Sequence, residues 1–167
     1  AEAGHAVVDV PLPKIFAAQR AIHHLIMSPE MAVYHAPRRA RQGAAMAAQH
    51  RLNVEAFSLV PAGYYIQALR ARRVLRDALV GLFGEVDVLA MPTTPAGAPL
   101  GLHATGDASL LSPWSLVGFP AATVPTGLAD DGMPLGLQLV GAPGADVLVC
   151  RAATMAEAVL GRLTLPD

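Results

Sequence analysis

Two short apolar runs in the last third of the chain, residues 121–126 and 135–140, flank the stretch Leu128-Ala-Asp-Asp-Gly-Met133. Aliphatic and β-branched runs this close, separated by residues that reverse a chain readily, predict a β-hairpin. Asp130, Asp131 and Gly132 tolerate the positive φ that a tight reversal needs. Pro120, Pro125 and Pro134 have no N–H to give to a ladder, so strand entries, ends or bulges are their expected places. The C-terminal third is thereby committed to a sheet.

Upstream, residues 7–12 alternate weakly and run into Pro11 and Pro13, which predicts a buried or edge strand. Ile15, Ala18, Ile22, Leu25 and Ile26 recur at helical spacing and predict an amphipathic helix from about residue 14 to 27. Ser28-Pro29-Glu30 then predicts a new helix, with serine as N-cap, proline at the first helical position and an acid in the first turn. Residues 38–60 predict a helix followed by a loop. Tyr65, Ile66, Leu69, Leu75, Leu79, Leu82 and Phe83 predict a long helix over residues 61–83, closed by Gly84. The run 86–91 predicts a fully buried strand, and residues 92–113, rich in Pro, Gly, Ala, Thr and Ser, a long irregular loop. Asp146 is placed as the N-cap of a last helix that runs to Leu160 and ends at Gly161. This order predicts an α/β fold: a mixed β-sheet with a C-terminal hairpin, covered by helices.

The chain has 167 residues, 53% of them hydrophobic, with a mean hydropathy of +0.42 and only 15% charged. Two readings fit: a compact alanine-rich core, or apolar surface meant to be covered by further polypeptide or by a second copy. A start at Ala1-Glu-Ala-Gly4 that reads as the tail of a helix favours the second. The net charge of −1 points to no nucleic-acid partner. Arg38, Arg39 and Arg41, and Arg70, Arg72, Arg73 and Arg76, are read as solvated helix faces, the alternative being a phosphate or acidic-substrate site. The single cysteine, Cys150, excludes an internal disulfide and is read as a small core residue. No apolar run of membrane-spanning length is present and no signal peptide is read, so a cytoplasmic location is the default expectation.

Four segments, in order, carry a likeness. The hairpin reads Gly118-Phe-Pro-Ala-Ala-Thr-Val-Pro-Thr-Gly127 and Met133-Pro-Leu-Gly-Leu-Gln-Leu-Val-Gly141. Ahead of it stand Gly4-His-Ala-Val-Val-Asp-Val-Pro-Leu-Pro13, Tyr65-x-x-Ala68-x-x-x-Arg72 and Val86-Asp-Val-Leu-Ala-Met-Pro-Thr-Thr-Pro95. Together they resemble the C-terminal portion of the amidase signature family, serine hydrolases of carboxamides. One departure is Ser115, where many members carry Asn ahead of the Gly-x-Pro.

The resemblance implies hydrolysis of a small-molecule amide through an acyl-enzyme. In such a reaction a serine attacks, a second serine relays its proton, a lysine acts as base, and backbone N–H groups of a glycine-rich turn meet the oxyanion. The family's Gly-Gly-Ser-Ser-Gly-like segment has no counterpart here. Ser28, Ser58, Ser109, Ser112 and Ser115 are not flanked by glycine, and the only lysine, Lys14, reads as a surface charge. No catalytic residue is therefore assigned. Residues 1–167 are expected to be the C-terminal portion of an amidase domain whose catalytic N-terminal half lies elsewhere, upstream or in a partner polypeptide. The alternatives are a non-catalytic scaffold or binding module, and an amidotransferase subunit.

The end of the 86–91 strand delivers Thr93 and Thr94 to a loop, where ligands of α/β sheets tend to bind; the plainer alternative is that they cap a turn. By resemblance, residues 112–118 approach the acyl side of the site. Trp114 is then an apolar wall beside Ser115, or simply a core residue. Thr93, Thr94, Trp114 and Ser115 are the substrate-binding candidates. Among His5, His23, His24, His35, His50 and His103 no metal-ligand spacing occurs, and no nucleotide motif is present, so no metal or cofactor is expected.

Overall fold

The computed structural model describes residues 4–161. The helix tail expected over residues 1–4 lies, Gly4 apart, outside them. In chain order the described elements are α1 (Gln19–Gln42), α2 (Ala48–Phe57), α3 (Ala62–Val80), β1 (Leu89–Pro92), α4 (Ser112–Val117), β2 (Ala121–Leu128), β3 (Pro134–Val140) and α5 (Asp146–Leu160). Short 3₁₀ turns precede α1, follow it and follow α3.

The hairpin forms as the sequence predicts. Strands β2 and β3 pair antiparallel from Ala121↔Val140 to Leu128↔Pro134, with one irregularity between Pro125 and Gly127. Pro120 precedes β2, Pro125 borders the irregularity and Pro134 opens β3, so no proline interrupts the ladder. In the turn only Gly132 takes a positive φ, of 80°; Asp131 acts through its side chain instead, accepting the Met133 N–H at 3.1 Å. Strand β1 pairs with the other edge of β3, giving the order β1-β3-β2 with all three described strands antiparallel.

The helices lie on both sides of this sheet. Leu89 and Val140, paired and on one face, join a core with Ile22 and Ile26 of α1, Leu75 and Leu79 of α3, and Trp114 and Val117 of α4. Val124 and Leu139 lie on the opposite face, beneath α5, whose buried residue is Val149. The expected α/β class, with a C-terminal hairpin covered by helices, is what the chain adopts.

Several local expectations are corrected. The break at Ser28-Pro29-Glu30 is absent: α1 is one helix of 24 residues with Pro29 and Pro37 inside it. An interior proline costs roughly 3 kcal/mol. Ile22 and Ile26 before it and Ala32 after it are buried on one continuous face, and each fully buried isoleucine returns about 1.5–3 kcal/mol. Ser28, read as an N-cap, is itself buried in that face. Residues 7–12 form no strand; no described strand pairs with them, and Val7 and Val8 are exposed. The loop expected before residue 60 holds a further helix, α2. The run 86–91 is not a fully buried strand: β1 begins at Leu89, lies at the sheet edge and buries only that residue. Ala145 rather than Asp146 is the N-cap of α5, leaving Asp146 in the first turn, where its charge favours the helix dipole. Cys150 is exposed, because Val149, Ala152, Ala153 and Ala156 form the inner face of α5 and Cys150 points away from it.

Candidate functional site

Three neighbourhoods hold the residues that the sequence singles out. At the end of β1, the Thr93 N–H donates to the Gly136 carbonyl at 2.8 Å, extending the β1–β3 pairing by one residue. Its hydroxyl lies 3.3 Å from that of Thr123 on β2. The two threonines close over Gly136, where a Cβ would stand 2.7 Å from Thr93 Oγ1 and 2.7 Å from Thr123 Cγ2. Thr94 turns its hydroxyl to the Ala96 carbonyl at 2.7 Å. Two residues along β3, Gln138 is 1% exposed and donates from Nε2 to the Leu110 carbonyl at 2.9 Å. That bond ties the end of the 93–111 loop to the sheet.

The second neighbourhood is α4. Proline in its first turn and Gly118 in the left-handed region at its end delimit a helix of six residues, which sequence reading leaves as an irregular approach to the hairpin. Trp114 and Ser115 are adjacent and point apart. Trp114 is 1% exposed, with ring centroids 6.0 Å from Phe16 and 6.3 Å from Phe119, and its indole N–H has no protein partner. Ser115 is exposed.

Ser115 lines the third neighbourhood, a groove of about 440 Å³ between α1, α3 and α4. Ile26 and Leu116 are buried at its base, Met27, Met31 and Tyr34 stand along α1, and His23, Glu30 and Arg72 supply its ionisable groups. The Tyr-x-x-Ala-x-x-x-Arg spacing explains the α3 wall. Residues 65, 68 and 72 fall on one side of a helix. Ala68, only 3% exposed, lets α1 and α3 approach, while the Tyr65 hydroxyl crosses to donate to Glu30 Oε1 at 2.8 Å. That bond, with Glu30's charge, raises the Tyr65 pKa despite the opposing pull of Arg72. Burial, and secondarily neighbouring His24, lowers the His23 pKa. Arg72 makes no ion pair and no side-chain hydrogen bond among the described residues. Thr93, Thr94 and Trp114 do not line the groove.

Glu30, Tyr65 and Gln138 are functional partners that sequence reading misses. Gln138 carries a local signal, a lone amide inside an apolar strand; the Glu30–Tyr65 bond spans 35 residues and has none. His24 and His35, expected in separate helices, both belong to α1, and His35 stacks edge-on against His50 of α2 at 4.6 Å. Among the described residues no three His, Cys, Asp or Glu side chains come together as a metal-binding group. The arginines at 38, 39, 41, 70, 73 and 76 are exposed, and the Arg39–Glu55 ion pair of 2.6 Å is solvated on both sides. No described helix is long and apolar enough to cross a membrane.

The family model described as Amidase matches residues 1–150. The chain belongs to the amidase signature family. It is 42% identical over 86 residues to a glutamyl-tRNA(Gln) amidotransferase subunit of Rhodospirillum rubrum, a match covering 47% of this chain and 17% of that protein. It is 30% identical over 167 residues to the fatty acid amide hydrolase of Arabidopsis thaliana, covering 92% of this chain and 27% of the relative. In three dimensions it is similar to a solved protein described as part of a vestigial complex that reveals the origins of an s-triazine catabolic enzyme. There the TM-score is 0.79 and the identity 29%, covering 95% of this chain and 37% of that one. An amidase crystal structure superposes with a TM-score of 0.76 at 30% identity, over 92% of this chain and 37% of the other. The chain thus spans well under half the length of these relatives.

Proposed function

We propose that this chain is the C-terminal portion of a carboxamide hydrolase that works through a serine acyl-enzyme, with the catalytic residues supplied by polypeptide outside it. One observation carries the reading: a family match over residues 1–150 in a chain whose five serines and one lysine form no catalytic set. Lys14 is exposed, Ser28 is buried within α1, and the Ser58 hydroxyl is engaged by the Glu55 carbonyl. In the proposed reaction the external serine attacks the amide carbonyl while a second serine and a lysine take its proton. Ammonia or an amine leaves, and water releases the acid. This chain contributes sheet strands, covering helices and the acyl side of the site. Ser115 faces the substrate, Trp114 holds α4 in place from within the core, and Thr93 and Thr94 stand at the strand end. A cytoplasmic location belongs to the same proposal.

The test joins this chain to a segment carrying the family's glycine-flanked serines, upstream in one polypeptide or as a co-expressed partner. Hydrolysis of simple amides that requires both segments is the expected result. A folded assembly without turnover would favour the scaffold reading. The 42% identity to an amidotransferase component supports a second reading, in which ammonia is transferred to an acyl-tRNA. Ammonia transfer without net amide hydrolysis in the same assembly would select it.

A further inference from the structure

We propose that the groove between α1, α3 and α4 is the acyl-binding site for neutral amides carrying a medium alkyl or aryl group, and that Met27 and Met31 set the size of group it accepts. The proposal rests on the amide-hydrolase reading above and adds to it the substrate class and the residues that select it.

Size is the first support. About 440 Å³ lies within the range of small-molecule sites, roughly 300–1,000 Å³. The lining is the second. Ile26 and Leu116 form an apolar base, and Met27 and Met31, one helical turn apart, form the α1 wall. Methionine is unbranched and polarizable, so such a wall adapts to alkyl and aryl shapes. Trp114, by contrast, is sealed inside the core and presents nothing to a ligand.

Charge is the third support. The groove holds Arg72 and Glu30 together, while burial disfavours the charged form of His23. A carboxylate ligand would gain Arg72 and meet Glu30; an ammonium would gain Glu30 and meet Arg72. A neutral amide meets neither conflict. Its carbonyl can accept from the Arg72 guanidinium, and its N–H can donate to the Glu30 oxygen that Tyr65 leaves free. The exposed Ser115 hydroxyl, which makes no side-chain hydrogen bond among the described residues, stands at the same end.

The experiment is an NMR titration of the 167-residue chain, labelled on backbone nitrogen and methionine methyl groups. The probes are acetamide, hexanamide, benzamide, hexanoate and hexylammonium. Hexanamide and benzamide are expected to move the Met27 and Met31 methyl signals and to bind at least about 10-fold more tightly than acetamide. Met31→Ala should shrink that ratio several-fold. Arg72→Gln should weaken both amides by about 10-fold, as loss of a charge-assisted hydrogen bond implies, and leave the ratio intact. Unchanged backbone spectra away from the groove verify the fold of each variant. Absence of methyl shifts with any amide overturns the proposal, as does tighter binding of hexanoate or hexylammonium. So does a ratio that responds to Trp114→Phe and not to Met31→Ala. Methyl signals released only on dilution would show a second copy of the chain in the groove, and would overturn it too. Hydrolysis by the joined segments without groove binding would defeat this inference alone; groove binding without hydrolysis would defeat the functional reading alone.

Discussion

The end of the sheet and the helical groove use polar groups in opposite ways. Around Gly136, the Thr93 N–H, the Thr94 hydroxyl and the Gln138 amide are all engaged by carbonyls of the same chain. In the groove, Arg72 and Ser115 have no such partner among the described residues, and Glu30 has one oxygen engaged. A polar group satisfied internally holds a loop in place; one left free and convergent with others over an apolar base is available to a ligand. The strand-end residues therefore read as architecture and the groove residues as recognition.

Four changes test that contrast. The largest effect belongs to the core that supports both regions: Trp114→Ala should cost about 3–5 kcal/mol in urea unfolding. A loss below about 1 kcal/mol would remove Trp114 from the core. Gln138→Ala leaves the Leu110 carbonyl without its donor and should cost about 1–3 kcal/mol, with faster proteolysis within residues 93–111. An unchanged cleavage pattern would mean that the loop is held by something else.

Below these comes a pH effect at His23, whose folded-state pKa is lowered from 6.5, chiefly by burial. The folded state disfavours the imidazolium there, so this stabilising contribution is complete above pH 6.5 and is lost as pH falls through the lowered folded value. Wild type should lose more stability than His23→Gln on acidification from neutrality, and parallel curves would refute the assignment. Smallest of all, Arg72→Gln and Ser115→Ala should each change stability by no more than about 0.5 kcal/mol, as exposed residues without partners do. A loss near that of Gln138→Ala would make them architectural and erase the contrast.

Sequence reading succeeds where neighbours along the chain decide the outcome. The hairpin, its proline placement, the long helix of residues 62–80 and the C-terminal end of α5 at Gly161 follow from turn chemistry and apolar spacing. It fails where distant residues decide. Ser28-Pro29-Glu30 is a sound local start signal, overridden because burial on both sides keeps α1 continuous. Residues 7–12 have strand composition and no described strand to pair with. Residue type alone places Cys150 in the core, while its exposure depends on the face that α5 turns to the sheet. Of the candidate site, Ser115 is legible in the sequence, and the spacing of residues 65, 68 and 72 places one face of α3. The Glu30–Tyr65 bond that completes the wall depends on how α1 packs against α3.

The central claim is that the nucleophile of this amidase lies outside the chain. The most direct measurement is covalent labelling with a fluorophosphonate, mapped by peptide mass spectrometry, on the 167-residue chain alone and on the same chain joined to a segment bearing the family's glycine-flanked serines. The account predicts no labelled peptide from the chain alone and a single label on a serine of the added segment. A label on Ser28, Ser58, Ser109, Ser112 or Ser115 would contradict it.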